Sequence, residues 1–319
     1  MGELRAEMNK DNKPENAPSV EKLLSKHFAP SPKPVEVDFG GMSHPGKVRE
    51  NNEDHFMVVR RRRSRTLMMN NLPEGYLPEF SDDDAYVMLV ADGLGGEAFG
   101  EMASMLALRT AWDLGVSEIK WTLRVSEKEV EELEEKAEVY FRLIDKALIQ
   151  QARVKPEVAG MGTTLTAAYT VGANAFVFHV GDSRAYLARN GELRQLTKDH
   201  TVAQKLVDQG ALPPEALGAS SFRHMLTNCV GCSKAGLKVD VRHARLIDGD
   251  SLLLCSDGLT DMVDEETIAD TLATHASADD ACRGLIDVAL DRGGRDNVTV
   301  VLARYSIPGI SEASDIGPA

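Results

Sequence analysis

Six acidic residues stand where apolar runs begin or stop. Asp92 closes the run Val87–Ala91 and is followed by Gly93, Leu94, Gly95 and Gly96. Asp257 follows Leu252–Ser256 and precedes Gly258, and Asp182 follows Ala175–Val180 and Gly181. Asp296 lies just before the run that starts at Val298, and Glu53 and Asp54 lie just before Phe56–Val59. Taken alone, Asp92 reads as an ordinary helix cap; the recurrence of the same device argues for more. Carboxylates gathered at strand ends repel one another, and some stay protonated unless a cation joins them. A hard divalent metal with oxygen ligands resolves the repulsion. A glycine beside an aspartate opens a backbone carbonyl as a further ligand. Two metals bridged by one carboxylate would lower the pKa of a bound water, and a nearby arginine would clamp a phosphoryl group. These are the parts needed to hydrolyse a phosphate ester.

The surrounding pattern predicts the elements that hold these residues. Val35–Phe39 alternates as a strand. Residues 55–59 form a second strand, and because neighbours point to opposite faces, Glu53 and Asp54 should do different jobs. A buried strand runs from Tyr86 to Asp92. Residues 60–84 read as an excursion between them, with a basic run at Arg60–Arg65 and an acidic one at Asp82–Asp84; such runs are solvated faces or docking surfaces. Residues 98–155 are helical, the second helix opening with Ser126 as cap and Glu129 three residues on. Strands follow from Gly160, with Asn190-Gly191 as a hairpin turn. Thr201–Gln209 is a short helix, and residues 202–235 form a flap. Helices are expected near Asp264–Thr274 and Ala278–Arg292, then a last strand at Val298–Tyr305. Residues 1–34, with a short helix at Val20–His27, and residues 307–319 read as flexible tails.

The chain has 319 residues, 43% of them hydrophobic, so it can bury a substantial core. Its formal net charge of −14 argues against a general nucleic-acid binder. No apolar run is long enough to span a membrane, and Met1–Lys13 lacks the apolar core of a signal peptide. Four cysteines point to a reducing compartment rather than a disulfide scaffold. A cytoplasmic chain is therefore expected. The C-x-x-C at Cys229–Cys232 has no second pair to complete a zinc site. It is also not a Cys-x5-Arg phosphate loop, and there is no G-x-x-x-x-G-K-[ST] motif.

In order, the chain carries Arg49-x-x-x-Glu53-Asp54, Ala91-Asp92-Gly93-x-Gly95-Gly96, Gly160-Met161-Gly162-Thr163-Thr164, Gly181-Asp182-Ser183-Arg184, Ser256-Asp257-Gly258 and Asp296-Asn297. Each block is weak alone. Together, across residues 35–305, they resemble the metal-dependent PPM-type serine/threonine phosphatases (protein phosphatase type 2C), and the DGxGG, GDSR and Asp199-His200-Thr201 forms resemble the bacterial branch.

The resemblance implies an α+β fold, an α-β-β-α sandwich of two mostly antiparallel sheets flanked by helix pairs, over residues 35–306. It implies that a water or hydroxide held by two Mn2+ or Mg2+ ions attacks phosphoserine or phosphothreonine. Asp92 would bridge the ions and Gly93 would offer its carbonyl. Asp257 and Asp296 would complete one ion, and Glu53 or Asp54 would serve the other, directly or through water. Arg49 would bind the phosphate, and Asp182 with Asp257 would hold a third, weaker ion. Partners would be phosphorylated proteins, with a Ser/Thr kinase or its substrates among them. Some members carry a histidine at the position of Leu94 as a proposed acid; Leu94 cannot donate a proton. His179 and His200 are expected to be structural. Two other readings compete: a metal-poor pseudophosphatase, against which the intact carboxylate set argues, and a nuclease, against which the charge argues.

Overall fold

The computed structural model describes residues 35–71, 80–95, 99–117, 127–232 and 236–309. The expected N-terminal tail with its short helix, the Ser126 cap, Gly96 and residues 310–319 lie outside these. Eleven strands and six α-helices run in chain order among the described residues. They are β1 (Glu36–His44), β2 (Asp54–Thr66), β3 (Phe80–Leu94), α1 (Phe99–Ser117), α2 (Glu127–Val154), β4 (Gly162–Thr163), β5 (Leu165–Val171), β6 (Asn174–Val180), β7 (Arg184–Arg189) and β8 (Glu192–Gln195). Then come α3 (Val202–Asp208), β9 (Asp240–Arg245), β10 (Ser251–Cys255), α4 (Asp257–Thr260), α5 (Glu265–Thr274), α6 (Ala278–Asp291) and β11 (Val298–Ser306).

One sheet has the order β1-β11-β10-β7-β8 and the other β2-β3-β5-β6-β9, with β4 added beside the end of β3. The strand pairs within both are antiparallel. The central strands are apolar throughout because both of their faces are covered. On β3, Met88 and Val90 enter the core between the sheets with Leu252, Leu254, Val301 and Ala303. Leu89 and Ala91 face the other way, onto Ala103 and Ala107 of α1 and Phe141 and Ile144 of α2. Leu253 and Cys255 of β10 likewise turn from the inter-sheet core toward Leu259, Ile268 and Leu285 beneath α4–α6. Each fully buried aliphatic side chain of this kind contributes about 1.5–3 kcal/mol. The result is the helix–sheet–sheet–helix layering that the resemblance implies.

Several boundaries move. Residues 60–66 and 80–84, which the sequence reading gives to an excursion, continue β2 and β3 as one long hairpin with Arg62 opposite Asp84. Opposite charges placed directly across a ladder favour the pairing. Arg60 and Arg62 both donate to the Asp84 carboxylate, Arg62 Nε at 3.0 Å. Strand β9 has no counterpart in the sequence reading; Asp-Val-Arg-His-Ala-Arg is polar because β9 is an edge strand, paired to β6 alone. Ile307, assigned to the C-terminal tail, is buried in the inter-sheet core, and its N–H donates to Asp248 Oδ1 at 2.7 Å. The Asn190-Gly191 turn has φ of 53° and 83°, as a two-residue hairpin turn requires.

Candidate active site

The carboxylates are positioned by strand register. Asp54, first residue of β2, pairs with Asp92 near the end of β3. Cys255 at the end of β10 pairs with Val300 near the start of β11, so Asp257 and Asp296 emerge at neighbouring strand ends. Asp182 follows β6 after Gly181. These ends open into one cleft of about 830 Å³, lined by Arg49, Glu53, Asp92, Gly93, Leu94, Asp182, Asp257 and Asp296 among others.

Backbone and hydroxyl contacts hold the floor. The Asp92 carbonyl accepts from Thr163 Oγ1 at 2.8 Å and from Thr164 N–H at 2.9 Å, and the Asp92 N–H donates to Thr164 Oγ1 at 3.0 Å. Thr164 Oγ1 also lies 2.7 Å from Ser183 Oγ, which ties the Asp92 turn to the Asp182 turn. Gly93 sits against the backbone of Gly100 in α1, where a Cβ would collide. Its N–H donates to the Glu53 carbonyl at 3.2 Å.

The pair Glu53–Asp54 divides as alternation predicts. Glu53 lines the cleft. Asp54 is buried behind it, with Oδ2 accepting from Ser256 Oγ at 2.6 Å. Asn297 holds the approach: it accepts from Glu53 N–H at 2.8 Å and donates to the carbonyls of Pro45 at 3.0 Å and Asn51 at 2.8 Å. Arg49 stands at the rim, its side chain 58% exposed, with Nη2 donating to Asp296 Oδ2 at 2.7 Å.

The electrostatics are those of an unneutralised acidic cluster. Burial, reinforced by the charges of Asp54, Asp257, Asp182 and Asp296, holds the Asp92 carboxyl well above the usual carboxylate range. Burial does the same to Asp182, with Asp257 adding, and pushes Asp54 up to about 7 against the hydrogen bond from Ser256. Oxygen donors that resist ionisation until a cation arrives fit a hard divalent metal.

Two residues in the cleft carry no signal in the sequence. His224, from the flap, places Nδ1 3.4 Å from Asp257 Oδ2 and Nε2 3.3 Å from Asp261 Oδ2, and the Asp257 contact raises its pKa. Ligand atoms of Asp182, His224 and Asp257 lie within 4.8 Å of one another, a spacing that could hold an ion. Asp261 also meets Arg223 Nη2 at 3.3 Å. By contrast, Arg184 turns away from the cleft to form a two-pronged pair with buried Asp199 at 2.7 and 2.9 Å. His200 accepts from the Gly181 N–H at 3.2 Å, and His179 Nδ1 lies 2.9 Å from Thr166 Oγ1. Both histidines support the turn that carries Asp182.

Comparison with known proteins gives consistent matches. The sequence model of the Protein phosphatase 2C family matches residues 78–287. The chain is 40% identical over 219 residues to the serine/threonine protein phosphatase PstP of Mycobacterium tuberculosis, covering 69% of this chain but only 40% of that protein's length. It is 30% identical over 262 residues to the serine/threonine phosphatase stp of Listeria welshimeri, covering 82% of this chain and 93% of the relative. A structure of the PstP catalytic domain in complex with two manganese ions superposes with a TM-score of 0.66 at 32% identity, covering 86% of this chain and all of that one.

Proposed function

This chain belongs to the protein phosphatase 2C family, and we propose that it is a metal-dependent protein serine/threonine phosphatase. The observation that carries the reading is the convergence of Glu53, Asp92, Asp182, Asp257 and Asp296 on one cleft with Arg49 at its rim. Asp92, the Gly93 carbonyl, Asp257 and Asp296 would hold two Mn2+ or Mg2+ ions, with Glu53 and Asp54 serving directly or through water. Asp182 and Asp257 would hold a third. When bound, such ions neutralise phosphoryl charge and make water nucleophilic at neutral pH.

The remaining work falls to this chain's own groups. Arg49 would take the substrate phosphate in a charge-assisted fork, exchanging its contact with Asp296 for phosphoryl oxygens. Thr163 and Thr164 hold the Asp92 backbone still while this happens. Leu94, in the cleft wall, supplies no proton to the leaving alkoxide. The substrates would be phosphoserine and phosphothreonine proteins, with a Ser/Thr kinase or its targets as partners, in a cytoplasmic signalling role. Among the described residues no helix is long and apolar enough to cross a membrane.

The test is phosphate release from phosphothreonine peptides, DNA and RNA side by side, with Mn2+ or with chelator. The expected result is Mn2+-dependent release from the peptide alone, lost in Asp257→Asn. Release from nucleic acid instead would point to a nuclease, and Mn2+-independent binding without release to a pseudophosphatase.

A further inference from the structure

The C-x-x-C motif, which the proposed chemistry does not use, sits directly behind the Asp92 turn. Cys229 and Cys232 stand within disulfide-bonding reach of each other, with their Cα atoms 5.6 Å apart. The two residues between them are firmly placed. Val230 forms a two-way bridge with Thr163 of β4: Thr163 N–H donates to the Val230 carbonyl, and Val230 N–H to the Thr163 carbonyl, each at 2.9 Å. Gly231 donates to Asp145 Oδ1 of α2 at 2.7 Å. On the other side, the same Thr163 donates its hydroxyl to the Asp92 carbonyl and pairs with Gly93. Cys232 Sγ presses on Gly162, where a Cβ would stand 2.6 Å from the sulfur. The sulfur pair, the Val230 bridge, β4 and the Asp92 turn are thus consecutive layers.

We propose that Cys229 and Cys232 are a redox modification site, a dithiol–disulfide pair that exchanges with low-molecular-weight disulfides and sets how firmly the Asp92 turn is held. Cys232 is half-buried and Cys229 buried, so exchange enters at Cys232. In the oxidising direction the Cys232 thiolate attacks a small disulfide RSSR, forming Cys232–S–S–R and expelling RS−. The Cys229 thiolate then attacks Cys232 Sγ, closes the protein disulfide and expels a second RS−. Two electrons pass from the protein thiols to RSSR, two RSH result once protonated, and excess thiol drives the reverse. A structural metal is a poor alternative: among the described residues, the group that could hold an ion is Asp182, His224 and Asp257, without either cysteine.

The bond closes a loop of four residues, Cys229 to Cys232. Losing so short a closure should speed opening of the Val230–Thr163 bridge by roughly tenfold. Because Thr163 orients a metal-binding turn, reduction should also weaken Mn2+ binding by roughly tenfold.

The purified full chain is equilibrated across ratios of reduced to oxidised glutathione, quenched with a thiol alkylator and weighed. The expected result is a two-thiol change at Cys229 and Cys232 that follows the ratio. Amide hydrogen exchange at Val230 and Thr163 should be roughly tenfold faster in the reduced chain, and calorimetry should give correspondingly weaker Mn2+ binding. The Cys229→Ser/Cys232→Ser chain should match the reduced protein in both buffers. Two thiols that stay reduced at every ratio, a lasting glutathione adduct without an internal disulfide, or unchanged exchange at both amides would overturn the proposal. The thiol count and exchange rates need neither metal nor substrate, so they decide it even if the phosphatase reading fails.

Discussion

Ser256, just after β10 of one sheet, donates its hydroxyl to Asp54 at the start of β2 in the other, at 2.6 Å. The same Oγ accepts from the Thr299 N–H at 2.9 Å. One hydroxyl therefore joins the two sheets where the acidic cleft opens. It also turns a carboxylate that strand register places beside Asp92.

Ser256→Ala should take one of the two hydroxyl hydrogen bonds from Asp54 and leave the Thr299 N–H unpaired in a dry site. The expected cost is about 1–3 kcal/mol of stability, read from urea unfolding. Mn2+ affinity should fall as well, since Asp54 loses one of the groups that orient it. A variant as stable as the parent would show that the contact does not matter.

Gly93→Ala tests the close approach of α1 to the metal-binding turn. A Cβ there meets the Gly100 backbone, which cannot move aside as a side-chain tip could. Destabilisation of about 1–3 kcal/mol is expected. Hydrogen exchange should locate the loosening at the N-terminal end of α1.

Arg49→Ala separates phosphate binding from metal binding. Loss of a charge-assisted contact worth about 1.5–3 kcal/mol should lower kcat/KM roughly 10- to 150-fold. Mn2+ affinity by calorimetry should stay within about threefold, because a guanidinium is no metal ligand. A large loss of Mn2+ binding would mean that the Arg49–Asp296 pair organises the metal site instead.

The pH dependence of stability should be weaker with metal than without it. Asp54, Asp92 and Asp182 are raised in the folded chain, Asp54 to about 7. Without metal, the folded state binds more protons than the unfolded one above the ordinary carboxylate range. The Asp54 contribution is therefore complete below about pH 4 and is lost as pH rises through about 7, by up to about 1.4 kcal/mol per unit, and Asp92 and Asp182 act in the same direction. Mn2+ binds the ionised forms and opposes this loss. The Tm difference between Mn2+ and chelator should widen from pH 5.5 to pH 8. A constant difference would argue that these groups do not meet the metal.

The strand-end carboxylates were legible in the sequence, because a strand, its terminal aspartate and the glycine turn after it are local features. So were the burial of β3 and β10, whose unbroken apolar runs need cover on both faces, and the split of Glu53 from Asp54, which follows from side-chain alternation. Which of that pair meets the cleft was settled by folding, since the answer lies in Ser256, 202 positions away. Folding also decided that Arg60 and Arg62 find Asp84 across a hairpin, that His224 and Asp261 enter the acidic cleft, and that the C-x-x-C backs β4 behind Asp92. Such pairings join segments far apart in the chain. No residue in either partner announces them, because hydrogen bonding and burial are decided by what the folded backbone brings alongside.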